Sequence, residues 1–215
     1  MPICHKHNTI FIHIPKTGGT SIEKYFNIYN ENGLRPNTNI LHGHVPIKFE
    51  DNEYDPLDVE GRAGYNLQHL TSNEIKNLIS DKIYQKYFKF TFIRNPWDKI
   101  VSEYEWAYYS LEFDDYINRV LYVVQNRIRL DTKNTHLRPQ IEFINKDLDF
   151  IGRFENFSND VEKVSSLIGV NLDIKKLPHT KKSNRDNYKT YYNENTKNII
   201  QYVYKEDIKQ FGYEF

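Results

Sequence analysis

The stretch that most constrains this chain runs from Ile10 to Tyr29, I-F-I-H-I-P-K-T-G-G-T-S-I-E-K-Y-F-N-I-Y. Thr9 to Ile14 is almost continuously apolar and β-branched, which suits a strand covered on both faces of a parallel sheet better than an alternating edge strand. Gly18 and Gly19 then allow a tight turn and a close approach of backbone to a ligand. Beyond them Ile22, Tyr25, Phe26 and Tyr29 fall at i, i+3, i+4 and i+7, one face of a helix that begins near Thr20. A helix N-terminus presents N–H groups with no intrahelical partner and a partial positive charge, so this strand, turn and helix form a seat for a phosphate-like anion. Lys16, Thr17, Thr20 and Ser21 add a cation and three hydroxyls around the same point. A plain βα turn with ordinary caps needs fewer such residues. The order of residues also separates the stretch from G-x-x-x-x-G-K-[ST], the loop of ordinary ATPases and GTPases, because here the lysine precedes the glycines.

A second strand, Tyr87 to Ile93, runs into R-N-P-W-D-K-I-V-S-E-Y. Asn95 can cap the helix that follows, Pro96 suits its first position and Asp98 its first turn. Trp97, Ile100, Val101, Tyr104 and Tyr108 form its apolar face, with Ser102 and Glu103 expected to point elsewhere. Arg94 is thereby held at a strand C-terminus beside a helix start, where open α/β sheets bind ligands. The bland alternative is a salt-bridging arginine and a solvated serine.

Elsewhere, Thr71 to Glu74 gives a capping box before a short helix. Leu148 to Phe154 reads as a third strand, followed by a helix lined by Phe157, Val161, Val164 and Ile168 and ended by Gly169. Residues 110 to 147 read as mainly helical, interrupted by a polar connection carrying His136 and Arg138. A last helix is expected over roughly 194 to 208. Residues 30 to 66 lack a sustained period and read as a long irregular insertion containing His42 and His44. Strands separated by helices, with both anion motifs at strand-to-helix turns, predict an α/β three-layer fold with a mostly parallel central sheet flanked by helices. At 215 residues a single domain spanning 1–215 is expected.

Composition limits the partners. Lysine plus arginine and aspartate plus glutamate both number 29, so no general attraction to nucleic acid or membrane is expected and any anion site must be local. Cys4 is the lone cysteine, which excludes an internal disulfide and fits a reducing compartment. The first residues are too short and polar for a signal h-region and no apolar run could span a bilayer, so a cytoplasmic protein is expected. His42 and His44 could in principle chelate a metal, but no third ligand adjoins them and none is expected.

With both motifs in view, the sequence resembles the sulfotransferases that use 3′-phosphoadenosine 5′-phosphosulfate (PAPS), whose fold is a P-loop-like α/β domain. P-K-T-G-G-T-S is similar to that family's 5′-phosphosulfate loop, and F-I-R-N-P-W-D-K-I-V-S-E-Y to its 3′-phosphate motif. I-G-R-F-E-N-F, K-K-S-N-R and D-I-K-Q-F-G-Y also look like the family, so the resemblance extends from about residue 9 to the end. L-H-G-H-V and H-L-R-P-Q look most like the carbohydrate branch, particularly the uronyl 2-O-sulfotransferases, although those carry a membrane anchor and often disulfides.

The resemblance implies that Lys16, Thr17, Gly18, Gly19, Thr20 and Ser21 hold the phosphosulfate, with Lys16 stabilising the leaving oxygen. Arg94 and Ser102 would bind the 3′-phosphate, and Lys182, Ser183 and Arg185 would close over the nucleotide. It also implies a histidine base, His44 before His42, with Glu23 in reserve. An imidazole with its ordinary pKa of about 6.5 is well matched to that task near neutral pH. The acceptor would be a small molecule or glycan, and the product nucleotide 3′-phosphoadenosine 5′-phosphate (PAP). The rival readings are a nucleotide or small-molecule kinase and a non-catalytic module that binds a nucleotide or sulfated glycan.

Overall fold

The computed structural model describes residues 3–4, 7–26, 48–49, 52–53, 69–79, 81–130, 134–170, 173–177 and 185–215. Its centre is a four-stranded sheet of β1 (Ile3–Cys4), β2 (Thr9–Ile12), β5 (Phe88–Ile93) and β6 (Phe150–Arg153), in that spatial order. β2, β5 and β6 run parallel, and β1 adds an antiparallel edge that the sequence reading did not foresee. A separate two-residue ladder joins β3 (Lys48–Phe49) and β4 (Asn52–Glu53).

The helices are α1 (Gly19–Tyr25), α2 (Ser72–Leu78), α3 (Asp81–Lys86), α4 (Pro96–Glu103), α5 (Phe113–Gln125), α6 (Phe157–Leu167), α7 (Glu194–Val203) and α8 (Lys205–Phe211). Alternation along the strands separates two cores. Ile10, Ile12 and Ile93 face one layer with Ile75, Tyr84 and Phe211, whereas Phe11, Phe90 and Phe92 face the other with Ile22, Val161 and Val164. Register supports this division, because Phe11 lies opposite Phe90 with ring centroids 5.0 Å apart. Each such buried side chain stabilises the fold by about 1.5–3 kcal/mol relative to exposure. A third cluster forms where α4, α5 and α7 meet around Trp97, Ile100, Tyr116, Val120 and Ile200. The result is the α/β fold with helices on both faces of a mostly parallel sheet that the sulfotransferase-like pattern implies.

Local signals explain the boundaries. Thr71 and Glu74 form the full capping box of α2, and Asn95 accepts from the Trp97 N–H while Pro96 occupies the first position of α4. Gly169 closes α6 at φ 68°.

Three expectations need correction. The terminal helix is two helices, broken at Tyr204 (φ −108°, ψ 27°), whose buried hydroxyl donates to the Leu137 carbonyl. The break re-aims α8 so that the Asp207 carboxylate accepts from the N–H groups of Gln140 and Ile141. Among the described residues between 110 and 147 only α5 is a sustained helix, and short 3₁₀ turns follow at Thr135–Leu137 and Gln140–Phe143. Finally, α4 does not continue as a regular α-helix through Tyr108, because Tyr104–Tyr108 is π-helical, although Tyr104 and Tyr108 still pack on the cluster that holds Trp97 and Ile100. Such wide turns recur at functional sites. Among the described residues no helix is long and apolar enough to cross a membrane.

Candidate active site

β2 delivers the glycine turn. Lys16 sits at φ 66°, a left-handed conformation uncommon for a residue with a side chain. Thr17 is fully buried and its hydroxyl donates to the Ile14 carbonyl at 2.8 Å, closing the turn. Gly18, at φ 87°, is the N-cap of α1, and its carbonyl accepts from the N–H groups of Ser21 and Ile22. Two features make glycine necessary here. A Cβ at Gly18 would fall 2.7 Å from the Phe157 ring, and one at Gly19 only 2.0 Å from His13 Nε2. The loop is thus packed against aromatic rings beneath it.

β5 delivers Arg94 to the same place. Its side chain is almost wholly buried, donating through Nε to Asp98 (2.8 Å) and through Nη1 to the Lys16 carbonyl (3.0 Å). The guanidinium carbon lies 3.9 Å from the centroid of the Phe154 ring, a stacked cation–π arrangement. Its backbone is gripped as firmly: the Gln140 side-chain amide accepts from the Arg94 N–H and donates to the Arg94 carbonyl. Arg185 donates to the other oxygen of Asp98. Burial alone would raise the Asp98 pKa, but the two guanidiniums reverse that and hold it below the ordinary carboxylate range. Asp98 is thus shared by two guanidiniums, and the Glu155 carboxylate, which accepts from the Asn95 N–H, also lies near Arg94. Ser102 is partly exposed and lies one helical turn beyond Asp98 on α4.

A group of residues that sequence reasoning did not assemble lines the other side of Lys16. Glu103, expected to point away, is buried, and its Oε2 lies 4.0 Å from Lys16 Nζ and 2.8 Å from His136 Nδ1. The π-helical turn swings Trp106 over Lys16, with Nζ 4.8 Å from the ring centroid, and sets the same ring 5.1 Å from that of His136. Behind them stand two further imidazoles. His69 packs edge-on against His136 at 5.1 Å and against His13 at 4.6 Å. His69 Nδ1 donates to the His13 carbonyl, and His13 Nδ1 meets Glu23 Oε1, both at 2.7 Å. Burial pushes the pKa of both His13 and His69 down, His69 well below the ordinary value. Burial would raise the Glu23 pKa, and the adjoining His13 more than offsets it, so the carboxyl stays well below its usual range.

The structure therefore brings Lys16, Thr17, Gly18, Gly19, Thr20, Ser21, Arg94 and Arg185 together at the C-terminal ends of two adjacent parallel strands, whereas Ser102 lies further along α4. His42, His44, Lys182 and Ser183 lie outside the described residues. Glu23 is within them, tied to His13 behind the loop. One signal for the missed group was available: His13 interrupts an otherwise apolar strand run. Among the described residues no cluster of histidine, cysteine, aspartate or glutamate is arranged to hold a metal ion.

The model of the sulfotransferase family matches residues 1–214. An uncharacterized protein of Archaeoglobus fulgidus is 33% identical over 105 residues, which is 47% of this chain and 85% of that protein. No solved structure matches the chain.

Proposed function

Since the chain belongs to the sulfotransferase family, we propose that it moves a sulfuryl group from PAPS to a hydroxyl of a carbohydrate acceptor by in-line transfer, with a histidine as base. The observation that carries this reading is the bond from Arg94 to the Lys16 carbonyl, which fastens the two anion motifs into one site. A donor with phosphates at both ends of its ribose needs two such positions a fixed distance apart; an ordinary ATP loop offers one. The cations Lys16, Arg94 and Arg185 gather at this site with the carboxylates Asp98, Glu103 and Glu155, and the cations with the hydroxyls of the glycine turn supply donors that fit a polyanionic nucleotide.

In this reading the turn from Lys16 to Ser21 cradles the phosphosulfate and Arg94 and Ser102 take the 3′-phosphate, with Lys182, Ser183 and Arg185 over the nucleotide. Transfer then depends on placement and on charge stabilisation of the leaving oxygen, by analogy with phosphoryl transfer. Lys16 supplies that charge. His44 and then His42 are the bases the resemblance offers, and the L-H-G-H-V and H-L-R-P-Q motifs favour a uronic-acid-containing glycan as acceptor. The lone cysteine, Cys4, fits a cytoplasmic setting.

Calorimetry with PAP against ATP tests the donor: PAP should bind and ATP should bind far more weakly. A mass-spectrometric screen of glycans and small alcohols for an added sulfate tests the acceptor. Equal affinity for ATP, or no sulfate transfer to any alcohol, would overturn the reading.

A further inference from the structure

Three imidazoles crowd behind the glycine turn, and their surroundings are not equivalent. His13 and His69 are buried, with Nδ1 turned to Glu23 and to the His13 carbonyl respectively. His136 differs: its side chain is 21% exposed, and its Nδ1 faces Oε2 of Glu103, a carboxylate that is only 4% exposed. An ionised carboxylate accepts hydrogen bonds and donates none, so it fixes the proton of a neutral imidazole on Nδ1 and leaves the lone pair on Nε2. Lys99 Nζ donates to the His136 carbonyl at 2.6 Å, so the residue is held at its backbone as well as its ring. The same Glu103 oxygen lies 4.0 Å from Lys16 Nζ, and the Trp106 ring touches both Lys16 and His136. A base, its orienting carboxylate and the lysine of the anion loop are therefore assembled at one point, in the arrangement that acid–base catalysis requires.

We propose that His136, oriented by Glu103, is the base that accepts the proton of the acceptor hydroxyl. This rests on the sulfuryl-transfer reading and replaces the loop histidines in that one role. The hydroxyl oxygen forms its bond to sulfur while the bond from sulfur to the bridging phosphate oxygen breaks, and that bond's electron pair stays with PAP. The hydroxyl proton passes to His136 Nε2. Glu103, accepting from Nδ1, stabilises the imidazolium that results, and Lys16 stabilises the leaving oxygen.

The test compares His136→Asn and His136→Ala with the wild type. Asparagine keeps an N–H donor toward Glu103 but cannot accept the proton, and neither change touches the backbone bond from Lys99. Release of labelled sulfate from PAPS would be followed with water as acceptor and with a fully desulfated uronic-acid glycan, and PAP binding by calorimetry. Both variants should bind PAP within about threefold of wild type and lose turnover by roughly 10²- to 10⁴-fold. Free imidazole should restore part of the loss in His136→Ala, where the ring's space is vacant, but not in His136→Asn. Wild-type turnover in His136→Asn, a loss in His136→Ala that imidazole does not relieve, or the loss appearing in His44→Ala instead, would overturn the assignment. Absence of PAP binding in the wild type would instead remove the donor reading on which it rests.

Discussion

Arg94 and Lys16 lie 78 positions apart in the chain, yet the guanidinium of the first donates to the backbone carbonyl of the second at 3.0 Å. The two strand-to-helix turns are thereby one rigid unit. The bond uses the carbonyl of Lys16 and leaves its ammonium to face Glu103 and Trp106. Changes at the two residues should consequently separate binding from chemistry.

Arg94→Lys should weaken PAP binding by at least about tenfold while leaving the fold intact enough to purify. A lysine offers one ammonium where Arg94 uses a planar fork to reach Asp98 and the Lys16 carbonyl and stacks on Phe154. Calorimetry with PAP checks this, and unchanged affinity would take Arg94 out of the nucleotide site.

Lys16→Ala should behave differently. The carbonyl that joins the motifs survives, so PAP should still bind within several-fold of wild type. Loss of one positioned charge at the leaving oxygen should lower transfer by roughly 10²- to 10³-fold. Near wild-type transfer from labelled PAPS would show that the lysine has no part in the reaction.

Gly19→Ala should be destabilising by about 1–3 kcal/mol, because the added methyl would overlap the His13 ring at 2.0 Å from Nε2. The ring cannot simply swing aside, since Nδ1 is held by Glu23. Denaturant unfolding measures the loss; wild-type stability would mean that His13 is free to move.

The parts of this molecule legible in the sequence are those whose cause is local. The N-cap Asn95 with Pro96 behind it, the capping box at Thr71 and Glu74, and the apolar runs that become β2 and β5 each depend on a few neighbouring residues, although the first strand stops at Ile12 rather than Ile14. The break at Tyr204 depends instead on Asp207 finding the backbone of Gln140, a contact 67 positions away. The burial of Glu103 was not legible for the same kind of reason. It points off the apolar face, as expected, but the loop from β2 and the segment carrying His136 close over it. His13, His69 and His136 come from three distant segments, so no spacing rule joins them; only the unexpected polar residue within I-F-I-H-I hinted that the strand served more than packing.

The buried imidazoles also set the stability of the fold against acid. His13 faces Glu23 on α1 and the ring of His69; His69 faces His13 and His136, beyond which lies Glu103. Burial lowers the folded-state pKa of both His13 and His69, so below the ordinary value of about 6.5 the unfolded chain binds protons that the folded chain refuses. Stability therefore rises with pH in this window and falls on acidification, by up to about 1.4 kcal/mol per pH unit for each such group. The lowered pKa of Glu23 acts in the same direction but further down, with its contribution lost as pH falls below the usual carboxylate value of about 4.5. Denaturant unfolding between pH 5 and 7.5 should show this slope. In His69→Gln, whose amide can still donate to the His13 carbonyl, the slope should shrink by the share of one group while stability at pH 7.5 changes little. An unchanged slope in that variant would mean that His69 takes up its proton as readily in the folded protein as in the unfolded chain, and that the edge-on imidazoles carry a charge the packing does not predict.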